Sequence, residues 1–167
     1  MSDFFKLPVL AAGVALSLGI AAPALACEGC FSPRTDLSFS IGTNHRGSSE
    51  AYIRYEGPST LGALRPVAGV SVSRASEVWA GAGLMLTWKQ AGGPFFLQGS
   101  VMPGLYSKGN GRDLGGSLQF RSSLEAGYEF PSALRVSIGI DHRSNADLNS
   151  FNPGMDGLHL RLTMPVR

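Results

Sequence analysis

A histidine, a serine and an aspartate crowd the stretch DHRSNADLNSFNPGMDG, residues 141–157, among several asparagines and an Asn-Pro-Gly turn. A serine hydroxyl is too weak an acid to attack an ester unaided. It needs an imidazole to accept its proton, and a carboxylate to hold the imidazole in the right tautomer and stabilise its cation. Ser144, His142 and Asp156 supply those three groups if the chain brings them together. Backbone amides just after the serine, such as those of Asn145 and Ala146, or the Asn145 side chain, are candidates to stabilise an oxyanion. A plain polar loop has the same composition, so the elements on either side must decide.

Those elements repeat with period two. Leu134, Val136, Ile138 and Ile140 alternate with Arg135, Ser137, Gly139 and Asp141, and Leu158, Leu160, Leu162, Met164 and Val166 alternate with His159, Arg161 and Thr163. A strand built from either run places every aliphatic on one face. Upstream, Leu118, Phe120, Leu124, Ala126, Tyr128 and Phe130 oppose Gln119, Arg121, Ser123, Glu125, Gly127 and Glu129. Earlier candidates fall at about 36–45, 49–57, 63–74, 77–89 and 94–106, the third being the least clearly patterned, which makes eight strands. The face opposite the aliphatics is rich in Gly and Ser and carries Arg54, Arg121, Glu125, Arg135 and Arg161. That suits the narrow, plugged lumen of a small barrel better than the wet face of a soluble sandwich. The expected fold class is all-β, an eight-stranded antiparallel transmembrane β-barrel of the outer membrane.

The first 26 residues differ in kind. Lys6 precedes the apolar run LPVLAAGVALSLGIAAPALA, which ends on Ala24-Leu25-Ala26, so they read as a signal peptide cleaved after Ala26. Residues 27–35 then form an N-terminal segment, and 36–167 the barrel domain. Cys27 and Cys30, the only cysteines, read as a small-loop disulfide or a loosely held pair, since no βαβ pattern surrounds them. A metal site would need two more ligands from scattered residues, and none is expected. With 167 residues and a net charge of +2, the chain is one domain and not basic enough to suggest a nucleic-acid partner. Trp88 is the candidate for an interfacial aromatic belt, whereas Trp79 has the opposite parity. His45 reads as a loop residue and His159 as lumenal. KGNGRDLGG, without a phosphate-loop ending, reads as an external loop whose Lys108 and Arg112 could approach lipid phosphates.

Parity extends into the opening stretch. His142 and Ser144 continue the row of Ile138 and Ile140, and Asp156 shares the parity of Leu158 and Leu160. All three would face lipid at the outer end of a paired strand seven and strand eight. The segment HRSNADLNSFNPGMD resembles the active-site signature of the outer-membrane lipid A 3-O-deacylases of the PagL type, which carry His-x-Ser-Asn-Ala, an Asn-x-Gly turn and an acidic residue. The broader resemblance covers about residues 63–167. It implies an outward-facing Ser-His-acid triad with Ser144 as nucleophile, His142 as general base and Asp156 as orienting acid. It also implies that Asn145, Asn152 and Gly154 shape the oxyanion hole and its loop. Asp156 stands where the best-known members carry Glu, and Asp147 where a small Gly is common. The resemblance further implies a carboxylic ester hydrolase acting on lipid A or lipopolysaccharide in the cell outer membrane, with no cofactor and with a homodimer allowed. The alternative is a non-catalytic barrel with a structural or lipid-binding role.

Overall fold

The computed structural model describes residues 32–44, 47–89 and 92–166. The expected signal peptide, Cys27, Cys30 and His45 lie outside them. Eight strands follow in order: β1 (Thr35–Asn44), β2 (Ser49–Glu56), β3 (Leu64–Ser73), β4 (Val78–Lys89), β5 (Phe95–Ser107), β6 (Leu118–Glu129), β7 (Arg135–Ser144) and β8 (Met155–Val166). Each pairs antiparallel with its sequence neighbours, and β8 returns to β1 from Thr35↔Val166 to Asn44↔Gly157, giving a closed barrel. Closure leaves no strand edge, the condition that lets a sheet cross a bilayer whose core offers no water to unpaired amides.

The outer wall is apolar. Ile41, Ile53, Val70, Leu86, Leu97, Leu124, Ile138 and Leu160 all face outward and are exposed on the isolated chain. Aromatic side chains gather at one end: Phe95 stacks edge-on against Tyr128 at 5.5 Å, Tyr128 against Phe130 at 5.0 Å, and Trp88 lies outward on the adjoining strand. They mark an interfacial belt. Trp79, of opposite parity, is wholly buried and meets Tyr52 edge-on. The connections at the belt end run through residues 57–63, 90–94 and 130–134. The longest connections, 108–117 and 145–154, lie at the other end. The connections 45–48 and 74–77 at that end are short, but the two longest loops are both there, and long loops are external in such barrels, which puts the outer end of β7 on the cell exterior and the belt on the periplasmic side.

The lumen is filled with paired charge. Arg135 bridges Asp36 at 3.0 Å and Glu56 at 2.7 Å. Arg54 joins Glu56 at 2.7 Å to Glu125 at 2.8 Å, and Arg161 closes on Glu125 at 3.0 Å. Nearer the exterior, Arg121 holds Asp141 at 3.0 Å and Glu50 at 2.8 Å, while Arg143 also pairs with Glu50. His159 points into this network and contacts Asp141 at 3.2 Å. All five inward charges expected from parity are buried here. Arg65 and Arg143 join them because their strands present alternate residues to the same interior.

Each buried charge depends on its partner. Removing one member of such a pair leaves the other desolvated and uncompensated, at a cost of roughly 3–5 kcal/mol. Arg54→Met is accordingly expected to lower the stability of the refolded barrel by about that amount. Urea unfolding in lipid vesicles checks it, and an unshifted midpoint would contradict the role given to the network.

Candidate active site

His142 and Asp156 are direct cross-strand neighbours at the outer end of the β7–β8 pair. Both point away from the lumen, because each follows the parity of the aliphatics on its own strand. Their side chains meet, with His142 Nδ1 2.7 Å from Asp156 Oδ1. The resemblance put Asp where other members have Glu. Direct opposition in the ladder lets the shorter side chain reach the ring, so no closer approach of the strands is needed. The neighbouring Asp141 points the other way and is held by Arg121 and His159 in the lumen, which leaves Asp156 as the carboxylate for this imidazole.

Ser144 is the last residue of β7, two positions beyond His142 on the same face. Its side chain makes no hydrogen bond among the described residues, the ring included. With Nδ1 committed to Asp156, Nε2 is the ring nitrogen without a hydrogen-bond partner among the described residues.

Beyond Ser144 the chain leaves the ladder through a braced loop. The Asn145 amide donates to Asn152 Oδ1 at 3.1 Å, and Asn152 Nδ2 donates to Asp147 Oδ1 at 2.8 Å. Asn145 is fully buried, and its Nδ2 donates to Phe151 O at 2.9 Å and Leu114 O at 3.1 Å. The second of these bonds ties the β7–β8 loop to the β5–β6 loop, as does Arg112 Nη2 to Pro153 O at 3.3 Å. Within the β5–β6 loop, the Gly115 amide and the Lys108 ammonium hold the Asp113 carboxyl below its usual range. Ala146 and Asp147 both adopt left-handed backbone, with φ of 52° and 58°. The Asp147–Asn152 bond helps hold that sparsely populated conformation. Both Asn145 donors considered at the sequence level for an oxyanion are thus engaged in bracing. The Ala146 amide has no hydrogen-bond acceptor among the described residues.

Gly154 closes the loop against the histidine. Its φ is 58°, and a Cβ placed there would lie 2.9 Å from His142 Cε1. Both the backbone conformation and the close approach of the ring call for glycine.

Ser122, on β6, is a residue that the sequence reading did not single out. It stands opposite His142 in the ladder, an outward-facing hydroxyl in a row otherwise made of Leu118, Phe120, Leu124, Ala126 and Tyr128. That break in an apolar row was the available signal. Ser122, Leu124, Ile140, His142, Asp156 and Gly157 line a groove of about 340 Å³ on the outer wall.

Fold and site together define a class: a closed transmembrane barrel whose hydrolase-like residues sit on its outer wall at the exterior rim, with an apolar groove beside them. The family described as lipid A 3-O-deacylase (PagL) matches residues 34–165, and the chain belongs to that family. Among solved structures, the chain resembles that of the outer membrane enzyme PagL with a TM-score of 0.68 and 22% identity, covering 78% of this chain and 99% of that one. A de novo designed transmembrane β-barrel matches with a TM-score of 0.59 and 9% identity, covering 81% of this chain and 97% of that one. These two likenesses show the fold. A comparison with curated protein sequences finds no match.

Gly154→Ala is expected to leave the barrel folded while displacing the His142 ring, with a loss of about tenfold or more in turnover. Rates on a lipid ester, read beside thermal unfolding, check this. Equal turnover in the two proteins would mean that the loop does not position the ring.

Proposed function

We propose that the protein removes the 3-position acyl chain of lipid A by serine-esterase chemistry, releasing a 3-hydroxy fatty acid. The observation that carries this reading is the 2.7 Å bond between His142 Nδ1 and Asp156 on the lipid-facing wall. A polar pair in that position has no structural task in a barrel wall, and Ser144 lies on the same face within the family's signature.

In this reaction, Ser144 Oγ gives its proton to His142 Nε2 as the oxygen attacks the acyl carbonyl. Asp156 stabilises the resulting imidazolium and keeps the ring oriented. The Ala146 amide, presented by the left-handed turn, donates to the oxyanion. Collapse of the tetrahedral intermediate breaks the ester bond, and His142 returns the proton to the departing sugar oxygen. Water, deprotonated by the same imidazole, then attacks the acyl-enzyme and frees the fatty acid and Ser144. Asn145, Asn152 and Gly154 shape the loop that holds these groups. The groove beside Leu124 and Ile140 takes the apolar chain, and Ser122 lies at its polar mouth.

The position at the end of β7 suits the substrate. Ester linkages of a lipid lie between headgroup and hydrocarbon, the depth at which the outer apolar rows give way to loops. An exterior-facing site in the outer membrane would meet lipopolysaccharide in its own leaflet. The chemistry asks for no metal or organic cofactor.

Ser144→Ala and His142→Ala are each expected to fold and to lose activity by roughly 10³-fold or more. Asp156→Asn is expected to lose a similar factor by favouring the wrong tautomer. Mass spectrometry of lipid A from cells carrying each variant provides the check. Continued loss of a hydroxyacyl mass in the Ser144 and His142 variants would refute the mechanism.

A further inference from the structure

The barrel wall carries a second depression, larger than the groove beside His142. It has a volume of about 770 Å³ and lies on the lipid-facing side of β8, β1, β2 and β3. Its cause is local. The outward positions at Thr43, Ser49 and Ala51 carry small side chains between the larger Ile41, Val72 and Leu158, so the wall is lowered there.

The ladder register links this trough to the active site. Ile140 is opposite Leu158, Leu158 is opposite Thr43, and Thr43 is opposite Ser49. The Ser49 carbonyl in turn accepts a hydrogen bond from the Arg74 amide at 3.0 Å. The row therefore starts two residues from His142 and Asp156 and ends on Arg74. With neighbouring strands about 4.8 Å apart, β3 lies roughly 14 Å around the wall from β8.

Arg74 gives the trough a polar end. It is exposed at the exterior rim, and its guanidinium has no hydrogen bond or ion pair among the described residues. Glu50, the one acidic side chain lining the trough, is committed to Arg121 and Arg143 on the lumen side. The result is a cation with no counter-charge among the described residues above an apolar channel, the complement of an acylated lipid bearing an anionic headgroup. A guanidinium presents a planar fork of donors that matches phosphate oxygens.

We infer that the trough binds a second acyl chain of the same lipid molecule whose ester meets Ser144, with Arg74 on a phosphate of that lipid. The inference rests on the deacylase reading. The trough begins on β8 beside the first groove, but Arg74 lies beyond β3, and a glycerol backbone is too short to put an ester at Ser144 and its phosphate on Arg74. A phosphorylated disaccharide with several acyl chains spans that distance. The two grooves would then fix which ester is presented to Ser144: one chain and one phosphate are anchored before the reacting chain enters.

The test measures binding apart from turnover, with the full-length protein in detergent micelles. Arg74→Ala should raise the Kd for phosphorylated lipid A by about tenfold, as for loss of a charge-assisted hydrogen bond. It should leave the Kd for enzymatically dephosphorylated lipid A unchanged. Ala51→Trp fills the trough from the lipid side without touching the lumen and should weaken both forms alike. In turnover, each variant should raise KM for phosphorylated lipid A with little change in kcat. An Arg74→Ala effect of equal size on both forms of lipid A, or no effect on either, would overturn the inference. So would an equal effect on phosphatidylglycerol, which would mean that Arg74 reads the surrounding membrane. If the unaltered protein binds phosphorylated lipid A through Arg74 but releases no fatty acid, the deacylase reading fails while the binding site stands.

Discussion

A strand inside lipid has no solvent to satisfy its amides, so the sheet must close on itself, and closure gives every residue one of two destinations. Even and odd positions go to lumen or lipid with no third choice, and a side chain cannot change sides without shifting the ladder. The lumenal ion pairs and the outward dyad both follow from this rule. Arg143 and Ser144 are adjacent in sequence, yet one pairs with Glu50 inside the barrel while the other stands at the lipid boundary.

The same rule lets the two halves of the molecule do separate work. The lumen can be packed with arginines and carboxylates for rigidity without placing a competing charge near the site. Asp141 shows this best: it sits beside His142 in the chain, but Arg121 and His159 occupy it on the inner side. His142 is left with a single carboxylate, Asp156, held at the same height on the next strand. Rigid strands set the dyad opposite one another, and the loop leaves the ring its space. The loop carries only what must bend: the turn after Ser144 and the glycine under the ring.

Much of this could be read from the chain, because period two is a local signal and the barrel preserves it. The alternation around Ile138, Ile140 and His142 predicted the side on which the histidine would lie, and that of Trp79 and Trp88 separated a core tryptophan from a belt one. The eight-strand count held, including β3, whose Pro66 and small residues blur its pattern. Register was not legible, since it depends on turn lengths and bulges distributed around the whole circuit. So the sequence could not show that Asp156 falls directly opposite His142, nor that Ser122 stands on its other side. Nor could it show the use to which Asn145 is put, because its partners Leu114 and Phe151 belong to loops that carry no periodicity.

The contact between those two loops makes the rim of the site depend on more than one hairpin. Asn145 reaches the Leu114 carbonyl, and Arg112 reaches that of Pro153, so the turn beyond Ser144 is braced from the β5–β6 hairpin as well as from within its own loop. Both loops sit at the leading, exterior end. The rim beyond Ser144 is thus a joint product of two hairpins, and a change at Arg112 or Leu114 would reach it without touching β7 or β8.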